Sequence, residues 1–402
     1  MGRRVARRAL ALAVVLVPAV VPTRPAQAQT FTVLYAFTGG TDGATPTDLI
    51  LDAKGDLYGT TVDGGSSSFP NGYGVVFEVD KSNKETALYT FTGTPDGASP
   101  NRGPLVRDAP GNLYGTTESG GASGYGTVFK LDTTGKETVL YSFTGGTDGG
   151  DPFAGLVRDG EGSLYGTTTY GGDLTCDAPY GCGVVFKLDT TGTETVLHTF
   201  SGSGGDGGNP VAGLVRDAAG NLYGTTREGG SGGYPGYGTV FKLDKAGDET
   251  ILHSFTGGDG EWPYAGVIRD AAGNLYGTTE NGGSVYGTIF KLDRRGKESV
   301  LHSFAGPPAD GAQPFAGLVR DAKVNRYGTT AEGGPLNWGT VFKLDKSGKE
   351  TVLHSFTGAA DGGQPWAGLV RDAKGDLYGT TSSGGSTGCE GYGCGVVFKL
   401  AR

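Results

Sequence analysis

Four histidines, four cysteines and three tryptophans are the side chains of this 402-residue sequence with most scope for chemistry. Histidine titrates near neutral pH and can act as base, acid or metal ligand. Here His198, His253, His302 and His354 all fall at one place in a recurring unit, where earlier copies hold Tyr35, Tyr89 and Tyr141. A place that takes tyrosine or histidine alike is a packing place. Histidine triads, histidine-rich metal sites and cofactors are therefore not expected. Four cysteines allow three pairings. The local one, Cys176–Cys182 with Cys389–Cys394, fits both the spacing and an exported protein.

Recurrence supplies an internal comparison, because a side chain that departs from its equivalents invites a functional reading. Trp262 departs: its equivalents are Asp151, Asn209, Gln313 and Gln364, and Glu261 stands beside it. An aromatic face next to a carboxylate suits a sugar, whose C–H face stacks while its hydroxyls hydrogen-bond. Tyr170 and Tyr234 are further loop aromatics. Trp366 shares its place with Phe153, Tyr264 and Phe315, mostly a packing position, and completes the candidate ligand-binding set. Trp338 matches Tyr125, Tyr286 and Tyr392 and reads as structural. Arg107, Arg158, Arg216, Arg269, Arg320 and Arg371 share one place, broken by Leu51. A ladder of Arg–Asp or Arg–carbonyl contacts between units accounts for them, with a cationic channel lining as the sharper alternative. An Asp-Gly pair precedes each unit (Asp42, Asp96, Asp148, Asp206, Asp259, Asp310, Asp361). It lacks the acid density of a calcium loop, so backbone capping is expected.

The elements that must position these residues are legible from the repeat. Leu-Tyr-Gly-Thr-Thr begins at residues 57, 113, 164, 222, 275 and 377, and Arg326-Tyr-Gly-Thr-Thr is a seventh copy. In the copy at 213–255, Gly213–Arg216, Asn221–Thr226, Gly238–Leu243 and Glu249–Phe255 read as four strands. Asp-x-x-Gly turns join the first to the second and the third to the fourth, with glycine taking the positive φ of a tight hairpin. Asn83 replaces one such glycine comfortably. Val324 replaces another, and Asn325 beside it is expected to absorb the strain. Apolar residues on both strand faces imply sheets covered on both sides. The fold expected is all-β: a seven-bladed β-propeller of four-stranded blades, with a parallel β-helix ranked second. A lone fourth strand at Phe31–Phe37 and a lone third strand at Gly395–Leu400 would close the ring.

Composition agrees. Glycine supplies 78 residues, far above the usual share, and charged residues only 19%. This excludes helical bundles and coiled coils. Residues 1–28 combine arginines, an apolar run and Ala26-Gln27-Ala28, the pattern of a secretory signal peptide. Residues 29–402 then form a single domain. Removing 1–28 takes five arginines and no acid from a net charge of −9, leaving −14. Such a protein repels nucleic acid and anionic lipid. Nothing in the sequence is long and apolar enough for a membrane span.

The unit Gly-Leu-Val-Arg-Asp-Ala-x-Gly-Asn-Leu-Tyr-Gly-Thr-Thr, with its following Tyr-Gly-Thr-Val-Phe-Lys-Leu-Asp, resembles the GloVer tandem repeat of secreted bacterial proteins. More loosely it is similar to NHL-type propellers. The resemblance covers residues 31–402 and implies an exported propeller; it implies no particular activity. The reading is of a secreted or periplasmic, monomeric, non-catalytic propeller that binds glycan or protein through its loop face. A polysaccharide lyase or hydrolase on the same scaffold is the alternative.

Overall fold

The computed structural model describes residues 29–66, 72–100 and 103–401, so the signal-peptide reading of 1–28 lies outside the described residues. Seven four-stranded antiparallel blades stand in a ring. In the fourth blade the strands are Val215–Arg216, Leu222–Thr226, Thr239–Leu243 and Glu249–Ser254, numbered outward from the axis. The inner strand is shorter than expected, two residues in every blade. Closure is as anticipated: Thr30–Ala36 pairs with Val396–Ala401 and becomes the outer strand of the seventh blade.

The second-strand motif has a reason at each letter. Its leucine is buried. Its glycine lies under the ring of the third-strand phenylalanine; a Cβ at Gly224 would stand 2.6 Å from Phe241 Cζ. The same approach recurs at Gly59, Gly115, Gly166, Gly277, Gly328 and Gly379, at 2.6–2.7 Å. The first threonine reaches the next blade. Thr116 Oγ1 donates to the Ala154 carbonyl at 2.9 Å, Thr225 to Ala265 at 3.0 Å, and Thr380 to Thr47 across the closing seam at 2.9 Å. The second threonine is buried against its own blade.

Blades are joined by phenylalanine. The ring that ends each outer strand meets the third-strand ring of the next blade edge-on: Phe37–Phe77, Phe91–Phe129, Phe143–Phe186, Phe200–Phe241, Phe255–Phe290, Phe304–Phe342 and Phe356–Phe398, at 5.1–5.3 Å. The core is accordingly divided into seven clusters, one between each pair of neighbouring blades. Truncating one such phenylalanine to alanine removes about 3–5 kcal/mol of stability.

The hairpins follow the Asp-x-x-Gly reading, with one correction. Asp321 accepts from the Lys323 and Asn325 amides at 2.8 and 2.9 Å, as its counterparts do elsewhere. Val324, however, adopts φ +71° itself, and Asn325 does not absorb the strain. The Val324 amide is held by the Asp321 carbonyl at 3.1 Å, and this closed turn fixes the left-handed place. A β-branched residue there costs about 1 kcal/mol. Val324→Gly is therefore expected to raise unfolding free energy by about 1 kcal/mol, read from denaturant midpoints at unchanged slope.

Candidate functional site

Within each blade the leading loop, which brings the chain to the inner strand, pairs with the loop that follows Gly-Thr-Thr. Gly207 pairs with Gly229, Gly311 with Gly333, Ala44 with Asp63, and Glu261 bridges Asn281. Both loop sets therefore share one face. They surround the mouth of an axial cavity of about 290 Å³. Its wall is largely backbone and apolar side chains, with Phe153, Tyr264, Phe315 and Trp366 at the rim.

These rings form an arc. Trp366 stacks on Phe315 at 4.9 Å with planes 11° apart, and Tyr264 meets Phe315 edge-on at 5.1 Å. Arg227 then lies between two rings, 5.2 Å from Tyr264 and 5.2 Å from Trp262, close enough for cation–π attraction to both. Arg227 Nη1 also donates to Glu228 Oε1 at 3.2 Å. Tyr234 lies against Glu228 and Asp177; burial and then those carboxylates push its phenol up. Burial raises Tyr170 as well, with Asp151 and Asp177 adding to it and Arg227 opposing. Glu280 is raised by burial and pulled back by Arg227. Trp262 and Tyr170 thus share the Arg227 guanidinium, Tyr234 of a third blade joins through Glu228, and Glu261 acts on Glu280 at the edge. Trp366 joins them through the rings between.

Arg227 is the residue that sequence reasoning missed. It follows Gly-Thr-Thr, where other blades have Val62, Glu118, Thr169, Glu280, Ala331 and Ser382, so comparison of copies would have exposed the sole cation. Several polar atoms here are buried without a hydrogen-bond partner among the described residues: Arg227 Nε, Glu228 Oε2, Trp262 Nε1, Glu280 Oε2 and Asn209 Oδ1. Trp262 holds φ +55°. That conformation is shared by Thr45, Ser99, Asp151, Asn209, Gln313 and Gln364, so the place is fixed by the scaffold and only its occupant is unusual.

Asp48 was missed too. It stands where five other blades have glycine (Gly155, Gly213, Gly266, Gly317, Gly368) and one has Pro104. It is the one carboxylate lining the axial cavity among the described residues, and one of its oxygens accepts from the Gly368 amide. Burial pushes its carboxyl up to about 7, against the opposing pull of that amide.

Both disulfides form as expected, Cys176–Cys182 and Cys389–Cys394, with Cα atoms 5.6 and 5.3 Å apart. They flank the arc: Asp177 lies beside Tyr234, and Cys389 and Glu390 share a groove with Trp366. One equivalence is corrected. Tyr392 does not match Tyr125 and Trp338; it is 72% exposed, and Cys394 takes that place. The Cys394 carbonyl accepts from Thr45 just as those of Tyr125, Cys182 and Trp338 accept from Asp151, Asn209 and Gln364. The extra residues of the two cysteine loops displaced the register.

The repeat profile described as the Gloeobacter/Verrucomicrobia repeat matches residues 20–178, 177–325 and 284–402, essentially the whole chain. The chain belongs to this repeat family. No curated protein matches its sequence. Among solved structures, the family propeller superimposes on a catalytically inactive variant of virginiamycin B lyase from Staphylococcus aureus, crystallised with quinupristin. The TM-score is 0.62 at 14% identity, over 93% of this chain and 99% of the other. A gluconolactonase from Xanthomonas campestris matches at a TM-score of 0.45 and 14% identity, over 93% and 89%. The first likeness establishes the fold alone.

In this repeat-family propeller the leading-loop aspartates and the outer-strand histidines serve the scaffold. Each leading-loop aspartate caps backbone: Asp42 accepts from the Thr38 amide at 2.8 Å and from the Tyr35 hydroxyl at 2.9 Å. The histidines do the tyrosines' job, with His253 Nε2 2.9 Å from Asp259 and His302 Nε2 3.2 Å from Asp310. At the junction of blades three and four, His198 lies 3.5 Å from Asp206 and 3.7 Å from Glu249, the one potential metal-ligand trio among the described residues. The equivalent places at other junctions carry Tyr35, Asp42 and Glu85, or Tyr89, Asp96 and Glu137, so packing accounts for the trio. Of the Arg–Asp or Arg–carbonyl ladder expected for the inner-strand arginines, the Arg–Asp form is not general. Arg158, Arg216 and Arg269 sit over the preceding blade's tyrosine at 5.6–5.8 Å, and among the described residues only Arg107 also approaches an aspartate, Asp52 at 3.7 Å. None lines the cavity.

The outer-strand glutamates set a pH dependence. Burial raises Glu85, Glu137, Glu194, Glu249, Glu298 and Glu350 to about 7. The folded state then holds more protons than the unfolded chain between about pH 4.5 and 7, so stability falls as pH rises through that window. Melting temperature is expected to be higher at pH 5 than at pH 8, and a Glu137→Gln/Glu194→Gln variant should show a smaller difference in the same calorimetric series.

Proposed function

We propose that this propeller is an exported, non-catalytic module that binds carbohydrate on its loop face, across the arc from Trp366 to Trp262. The aromatic arc carries the reading. Sugar rings present C–H faces that pack on aromatic rings, while hydroxyls need charged and amide partners nearby. Arg227, Glu228, Glu280 and the Trp262 indole offer unmatched hydrogen-bonding atoms beside those rings. An aromatic at Trp262, on a backbone place elsewhere given to small or polar residues, supports the same reading. Glycoside hydrolysis in its usual form requires two carboxyl groups facing each other across the bond to be cleaved. The cavity has one, and the four histidines lie on outer strands bound to aspartates. Two disulfides support an oxidising compartment, and no helix among the described residues is long and apolar enough to cross a membrane. The module is proposed to act as a monomer without cofactor.

Glycan-array screening followed by calorimetry is expected to find an oligosaccharide ligand. Trp262→Ala and Trp366→Ala should each weaken it at least tenfold, about 1.4 kcal/mol, without lowering the melting temperature comparably. Ultraviolet-absorbing unsaturated products, or new reducing ends released from a polysaccharide, would overturn the reading in favour of a lyase or hydrolase.

A further inference from the structure

Asp48 places a single carboxyl group at the seam where the ring closes, facing a cavity otherwise lined by backbone and apolar side chains. The leading segment of the first blade is shorter than most: Pro46 is followed by Thr47 and Asp48, without the rim residue that Phe153, Tyr264, Phe315 and Trp366 supply elsewhere. The seam thus has a carboxylate where its neighbours have a bare glycine and, one step outward, lacks a ring. Trp366 flanks that side, bordering a small pocket together with Thr45, Pro46 and Thr47. The Gly368 amide satisfies one Asp48 oxygen. The other has no hydrogen-bond partner among the described residues. A scaffold role does not explain the side chain, since Gly317 and Gly266 complete the same turn in their blades without one.

We propose that Asp48 makes the axial cavity a site for a protonated amine, and that the glycan on the aromatic arc is one bearing free amino groups. This rests on the carbohydrate reading above. An ammonium offers up to three donors to the open carboxylate oxygen and is attracted to aromatic faces. Trp366 and Phe315 stand at the rim above it. Among the described residues no other charged side chain lines the cavity. The cavity, at about 290 Å³, lies at the lower end of the range for small-molecule pockets, which suits one sugar ring entering end-on from the arc. Charge on the whole molecule acts in the same direction, −14 once residues 1–28 are removed.

Calorimetric titration with three tetrasaccharides tests this: β-1,4-glucosamine, its N-acetylated form and cellotetraose. The full protein is expected to bind the glucosamine tetramer at least tenfold more tightly than either neutral one. Asp48→Asn should abolish that preference, bringing the glucosamine tetramer to the affinity of the neutral ones. Asp48→Gly, which restores the residue of five other blades, should do the same and guards against misfolding. Equal binding of all three by the unsubstituted protein, or a preference that survives both substitutions, overturns the amine site and leaves the carbohydrate reading standing. Failure to bind any of the three, together with an empty glycan array, overturns both.

Discussion

The edge-on contact between one blade's outer phenylalanine and the next blade's third-strand phenylalanine governs the rest of this molecule. It demands a glycine in the second strand, because the ring lies where a side chain would be. Glycine weakens a strand, and an aromatic laid across it restores the lost packing. It also sets the distance between blades, and so allows a threonine hydroxyl to reach the neighbouring carbonyl. Seven such contacts leave no blade with a core of its own. The unit of stability is the junction, and a blade in isolation would expose both of its faces.

Much of this was legible because the repeat displays its own constraints. Asp-x-x-Gly marks hairpins by backbone need, and an unpaired third strand facing an unpaired fourth fixes closure. Trp262 stood out since its equivalents are polar, and the structure adds that their shared backbone place is left-handed. Arg227 and Asp48 could be recognised by the same comparison, but only once loops of unequal length are placed in register. The first blade lacks one residue before Asp48, and this hides the carboxylate from simple spacing. Tyr392 was misplaced for the converse reason, two extra residues in a cysteine loop. The convergence of Tyr170, Tyr234 and Trp262 on the Arg227–Glu228 pair belongs to three loops distant in sequence, and no local pattern announces it.

Charge is sorted by radius. Hairpin aspartates are spent on turn amides, and outer-strand glutamates are half-buried between blades. On the loop face, charge is left with spare hydrogen-bonding capacity around Arg227; in the cavity, among the described residues, it is reduced to Asp48. The two disulfide loops border the two ends of the aromatic arc, where they substitute for the aromatic that other blades pack beneath the next leading loop. Crosslinks thus stand where the scaffold has been altered most.

The closing seam has a temporal meaning. Phe31, on the first strand of the domain, occupies the place that glutamate holds in the other outer strands, and stacks on His354 at 3.9 Å and against Phe398 at 5.3 Å. Its partners are made some 320 residues or more after it, and so is Val396–Ala401, the strand it pairs with. A growing chain therefore carries a finished strand with nothing to pair to until the third strand of the seventh blade follows it. The ring cannot shut early. Its first strand waits open until six other blades have been laid down.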